Sequence, residues 1–284
     1  MKHPLLFAAI SAAFIFVACN KPSEEPTPAK TKQVTFTVQA FSVTTQPMQA
    51  PAIRKAQILD DEGGNALTDL YIFKGSTQLA HQTSDMDDFG TVTLTLEYGN
   101  HNLSFVATRS DGITIDGNIL KATSLRPTFG KLQAVTVGDA TDEFDITLTR
   151  ITGQMILTIE DAIPNDAAKL TIQIAEKYND LNMTNFNGAN VYAFSQDVNI
   201  TSKQGQTNQT WTLNILSATY GDQYTTNVTL SVYRSDDSLI SQHVIANVPL
   251  ATNTKTLLTG KMFSGQAFTI TADVTWEDPI NGVW

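Results

Sequence analysis

The chain has 284 residues, of which 42% are hydrophobic and only 16% charged, enough to build one or two sizeable cores. Its formal net charge of −10 excludes binding to nucleic acid through a basic stripe. A single cysteine excludes an internal disulfide framework.

The first element is an apolar run from Leu5 to Ala18 behind Lys2. It is shorter than the roughly 20 residues a spanning helix needs, and it fits the apolar region of a secretory signal peptide. It ends in Phe16-Val17-Ala18-Cys19, which resembles the bacterial lipobox. The resemblance implies that residues 1–18 are removed and that Cys19 carries the lipid. Several acyl chains, each contributing about 0.8 kcal/mol per buried CH₂, give stable anchoring. Residues 19–32 are rich in proline and have little to bury, so they read as a disordered tether.

From residue 33 onward the pattern is that of strands. In "VTFTV", Val34, Phe36 and Val38 share one face with threonines opposite. "DLYIFK" is apolar on both faces, "TVTLTLEY" sets Val92, Leu94 and Leu96 against threonines, and "EFDITLTR" repeats the alternation. The later half adds "QMILTIED", "KLTIQIA", "TWTLNIL", "NVTLSVYR", "HVIANVPL" and "AFTITADVTW". Period-2 alternation with turn residues between, such as Tyr98-Gly99-Asn100 and Asp116-Gly117, predicts an all-β protein of sandwich type. A new alternating unit begins near Ile151, which predicts one sandwich over 33–150 and a second over 151–284.

Motifs for chemistry are lacking. None of His3, His81, His101 and His243 has a second histidine or cysteine within four residues, so no metal site is expected. The acidic stretch "SDMDDFG" departs from a calcium loop: Phe89 stands at a ligand position and Leu96 where a glutamate belongs. No nucleophile elbow, phosphate loop or dinucleotide fingerprint occurs. The expectation is a protein without catalysis or cofactor. Trp211, Trp276 and Trp284 could form a sugar-binding platform, but Trp211 in "TWTLNIL" and Trp276 in "DVTW" fit the sandwich cores better.

Four stretches in order carry a family resemblance: "LTDLYIFKG" (67–75), "NLSFVATRSDG" (102–112), "LTRITGQMILTIEDAIP" (148–164) and "VPLATNTKTLLTGKMF" (248–263). With the lipobox and tether they resemble the fimbrillin-like lipoproteins of Bacteroidales, the subunits of type V pili. The acidic pair Glu24-Glu25 is similar to the surface-export signal of Bacteroidetes lipoproteins, and Asp237-Ser238-Leu239 resembles their O-glycosylation motif, which makes Ser238 a candidate site. The resemblance implies two tandem transthyretin-like sandwiches and an outer-membrane lipoprotein exposed at the cell surface or in a fimbrium. Its partners would be other fimbrial subunits, joined by strand exchange, with a host or bacterial surface ligand for adhesion.

In stalk subunits of that family an arginine-specific protease removes the first strand. Arg54 is the first arginine here and would release the chain at Lys55. The same residue also reads as an ordinary loop arginine beside Pro51. Lys55 departs from the small residue of the stalk pattern and favours an anchor or accessory subunit. The C-terminal strands around Phe268–Trp276 are candidates for subunit contact. A glycan-binding surface lipoprotein of a polysaccharide-uptake system is the rival reading.

Overall fold

The computed structural model describes residues 29–39, 67–140, 143–265 and 267–273. They form an all-β protein whose one helical turn is a 3-10 segment, Thr201–Lys203. The strands are β1 (Thr31–Gln39), β2 (Asp69–Lys74), β3 (Thr77–Thr83), β4 (Thr91–Glu97), β5 (Gly99–Thr108), β6 (Thr114–Asp116), β7 (Ile119–Lys121), β8 (Thr128–Val137) and β9 (Glu143–Thr147). There follow β10 (Thr149–Arg150), β11 (Gly153–Ile159), β12 (Lys169–Asn182), β13 (Gly188–Asn199), β14 (Gln209–Ile215), β15 (Gln223–Tyr233), β16 (Leu239–Ala251), β17 (Lys255–Gly260) and β18 (Thr269–Asp273).

A three-stranded sheet, β4-β1-β9, faces a five-stranded sheet, β10-β8-β5-β2-β3. The alternation of β4 explains the arrangement: Val92, Leu94 and Leu96 are buried while the intervening threonines stay in water. They meet Leu70 and Ile72 of β2 and Leu103, Phe105 and Ala107 of β5 in one core. β9 and β10 are the two parts of the stretch "EFDITLTR", which is interrupted at Leu148 as the chain passes from the first sheet to the second.

The later strands form a four-stranded sheet, β14-β11-β17-β18, and a six-stranded path, β16-β15-β12-β7-β6, with β13 also paired to β12. Their core is built on Met155, Leu157 and Ile159 of β11, Leu170, Ile172 and Ile174 of β12, and Val228, Leu230 and Val232 of β15. The hairpin β6–β7 turns at Gly117, where φ is +61°, and joins this second set of strands, with Leu120 opposite Leu181 of β12. Chain from between β5 and β8 therefore completes a sheet made otherwise of later residues.

A third apolar cluster lies between the two sandwiches. Tyr71 and Phe73, on the face of β2 opposite Leu70 and Ile72, join Val106, Leu120, Leu181 and Phe186 there. This explains why "DLYIFK" is apolar on both faces: its sheet is covered on both sides.

Candidate strand-exchange site

The strand nearest the N-terminus among the described residues occupies the middle of its sheet. β1 runs antiparallel to β4, from Thr31 opposite Glu97 to Thr37 opposite Thr91. On its other side it runs parallel to β9, from Thr35 opposite Glu143 to Gln39 opposite Thr147. Val34 and Phe36 are fully buried, and Val38 nearly so. The Phe36 ring stacks on Phe144 at 5.5 Å and leans on Phe105 at 5.3 Å. Outside, Thr35 and Thr93 share a hydroxyl hydrogen bond of 3.0 Å across the pair. Burying each of these apolar side chains stabilises by about 1.5–3 kcal/mol.

A polar clasp holds the start of β1. Lys30 Nζ donates to Asp139 Oδ1 at 2.8 Å and sits 4.1 Å from the centre of the Tyr98 ring. Tyr98 donates its hydroxyl proton to the same carboxylate oxygen at 2.9 Å. Lys32 Nζ reaches the carbonyls of Gly138 and Asp139 at 3.0 and 3.2 Å. The hydrogen bond from Lys30, then that from Tyr98, lowers the pKa of Asp139, and the bond to Asp139 raises that of Lys30. Lys30 and Asp139 are exposed, so water screens the attraction and the clasp fixes register more than it adds stability.

Taken out of the sheet, β1 would leave two edges, β4 and β9, with unpaired N–H and C=O groups above an uncovered core. Such a slot accepts another strand with bulky apolar residues at alternate positions.

At the other end of the fold, β18 pairs antiparallel with β17, Thr269 opposite Thr259 and Lys255 opposite Asp273. It stands at the margin of its sheet among the described residues. Phe268 packs edge-on to His243 at 5.5 Å and lies over Gly260, where a Cβ would approach its ring to 2.7 Å. Ile270 remains 36% exposed.

Cys19, Arg54, Lys55, Trp276 and Trp284 lie outside the described residues. Ser238 is exposed in the β15–β16 hairpin, where its hydroxyl donates to Asp236 Oδ1 at 2.6 Å and accepts from Arg234 at 3.3 Å. Trp211 is half-buried against the second core. The three described histidines are far apart in role: His81 pairs with Asp69 at 2.9 Å, His101 with the Glu97 carbonyl at 2.8 Å, and His243 with the Met262 carbonyl at 3.1 Å. Among the described residues no three acids, histidines or cysteines gather around a metal-sized space. In the acidic loop, Phe89 turns into the first core, and Gln82 binds the loop backbone through the carbonyls of Asp88 and Thr91 and the N–H of Gly90.

Sequence reasoning missed the clasp, whose members are 109 residues apart. It also missed a polar cleft of about 410 Å³ beside Lys177, bounded by β12, β13, β14 and residues 123–126. No short motif marks either.

Fold and slot together define an all-β protein of paired sandwiches with an N-terminal strand set inside a sheet. The chain belongs to a family of unknown function, DUF6562, whose model matches residues 70–283. No curated protein matches it. Among solved structures, a candidate adhesin from Bacteroides ovatus aligns with a TM-score of 0.50 at 8% identity, covering 75% of this chain and 82% of that one. A candidate cell adhesion protein, also from Bacteroides ovatus, aligns at 0.48 with 10% identity, over 88% of this chain and 100% of the other. The fimbrial anchor protein Mfa2 from Porphyromonas gingivalis aligns at 0.45 with 11% identity, over 86% and 97% of the two chains. At such identities the first alignment speaks for fold alone.

Proposed function

We propose that the chain is a non-enzymatic cell-surface lipoprotein, held at the outer membrane through lipid on Cys19, that serves as a fimbrial anchor or accessory subunit and contributes to adhesion. The observation that carries this reading is the position of β1. A strand at the N-terminal side of the fold sits between two others, and Arg54 lies in the connection from it to β2. Cleavage there would free β1 and open the slot to a strand from a neighbouring subunit. Retention of β1 would keep the slot filled and leave the protein tethered, as Lys55 favours. The lipobox-like Phe16-Val17-Ala18-Cys19 and the fold shared with a candidate adhesin support the same reading. The margin of β18 is the second proposed contact surface, and Ser238 the proposed glycan acceptor. The partial burial of Trp211 against the second core supports this reading over the rival sugar platform, which needs its tryptophans exposed.

The test is the intact mass and first residue of the protein recovered from the outer membrane of its host. A lipidated chain starting at Cys19 is the expected result and identifies a tethered subunit. A lipid-free chain starting at Lys55 would make it a polymerising subunit instead. An unmodified Cys19 in the recovered protein would overturn the anchor.

A further inference from the structure

The cleft beside Lys177 has the makings of a binding site. It lies where the edge strand β14 of one sheet meets β12 and β13 of the other, with residues 123–126 closing one side. Its volume of about 410 Å³ falls within the roughly 300–1,000 Å³ of small-molecule pockets. In a chain of net charge −10, the charged side chains lining it are Lys177 and Arg126, with no carboxylate among them.

Lys177 is 4% exposed, yet among the described residues its ammonium meets no acid partner. Its contacts are the side-chain oxygen of Asn179 and the face of the Phe194 ring, 4.5 Å from the nitrogen. The other lysines with resolved ion pairs, Lys30, Lys121 and Lys169, each meet an aspartate within 2.8 Å. An ammonium has three donors, so Lys177 keeps capacity for an anionic acceptor. Across the cleft, Asn214 Oδ1 is buried without a hydrogen-bond partner, while its amide nitrogen reaches the Leu125 carbonyl at 3.4 Å. Gln196, Ser195 and Thr212 line the same space and offer donors and acceptors suited to hydroxyl groups. Arg126 stands at the rim, tied to Asp111 at 3.3 Å and half exposed.

We infer that this cleft binds a carboxylated sugar of the uronic acid class, its carboxylate on Lys177 and its hydroxyls on the surrounding amides and hydroxyls. The carboxylate supplies the counter-charge that the fold withholds from Lys177. The hydroxyls supply a donor to Asn214 Oδ1. The site is independent of β1 and of strand exchange, so it stands whatever becomes of the slot.

The test is titration of the purified full chain with glucuronic acid, glucose and acetate, followed by calorimetry and by NMR shifts of the residues lining the cleft. Saturable binding of glucuronic acid is expected, with glucose at least about tenfold weaker for want of the charge-assisted hydrogen bond, and acetate at least about tenfold weaker for want of the hydroxyl contacts. Lys177→Met should weaken glucuronic acid binding by about tenfold or more. Arg126→Ser, a change at an exposed rim position, should weaken it by a smaller factor while leaving the fold as it is. Equal binding of glucose would overturn the role of the carboxylate, and equal binding of acetate would overturn the sugar. Full binding by Lys177→Met, or no saturation with millimolar glucuronic acid, would overturn the site itself.

Discussion

Lys177 shows how a single residue can tax a fold. Burial, with no carboxylate near enough to offset it, lowers its pKa from 10.5 to about 8. Its register partner on β13 is Tyr192, Arg126 lines the same cleft, and Asp180, three residues further along β12, is engaged by Asn190 and Tyr192. In the unfolded chain the lysine titrates at its ordinary value. Between pH 8 and 10.5 the unfolded state therefore binds more protons, and stability rises with pH; below 8 the whole cost of burying the charge is present. Lys177→Met removes that cost. It should raise unfolding stability at pH 7 by about 3 kcal/mol, and the gain should shrink to near zero as pH climbs through that window. Paired denaturant titrations of both proteins across the range measure the difference, in which other ionisations cancel. A gain that does not change with pH would mean that Lys177 is already neutral or already paired at pH 7. A residue kept at such a cost is what a binding site requires and a purely structural strand does not.

At the scale of the element, close approach of backbones sets the limits. Gly153 opens β11, the strand held between β14 and β17. A Cβ there would fall 1.9 Å from the carbonyl oxygen of Ala251, at the end of β16, and 2.8 Å from Ile215 Cδ1. The first obstacle is main chain and cannot rotate away. Gly153→Ala should therefore lose about 1–3 kcal/mol, read as a lower urea midpoint at unchanged slope. An unchanged midpoint would show that β16 can yield.

The same element scale explains what could be read from residues alone. β1, β4 and β11 bury alternate residues, so their period-2 signal survives in the sequence. β13 exposes most of both faces, and "GANVYAFSQDVN" accordingly carries no alternation; only its ladder with β12 reveals it as a strand. The outer part of β12, past an irregularity between Ile174 and Lys177, is as polar as a loop yet remains paired. β5 is buried continuously from Leu103 to Thr108 because its sheet has a core on each side, and a run without alternation has no period to detect. The slot of β1 was legible as an alternating N-terminal strand, but its central position was not, because the parallel pairing with β9 joins residues more than a hundred positions apart. The cleft beside Lys177 was not legible at all. What distinguishes that lysine is the lack of an acid partner among the described residues, and such a lack exists only in three dimensions.

At the scale of the whole molecule, the question is whether two sandwiches move as two bodies or one. Interfaces within a chain permit relative motion unless they are large and apolar. Here the cluster between the sandwiches draws Tyr71, Phe73 and Val106 from one side and Leu181, Met183, Phe186 and Leu216 from the other. Phe186 is its keystone. It sits at φ +63° in the turn between β12 and β13, a conformation uncommon for a bulky side chain, and donates its N–H to the Asn182 carbonyl at 2.8 Å. Its ring lies on Gly130 of β8, where a Cβ would come within 2.7 Å of Cζ, and meets Tyr220 edge-on at 5.4 Å. The hairpin β6–β7 adds a second tie, since it pairs with β12 while its chain returns to β8. Melting one sandwich thus strips a neighbour from the other, and the native chain should unfold in one calorimetric transition. Phe186→Ala removes the ring that spans the gap and should lower stability by about 3–5 kcal/mol. It should also raise the ratio of calorimetric to van't Hoff enthalpy above one, as the sandwiches begin to melt separately. If the variant loses stability but keeps a ratio of one, the hairpin alone couples the sandwiches. Pairing Phe186→Ala with Leu120→Ala, which loosens the anchorage of that hairpin, should then split the transition.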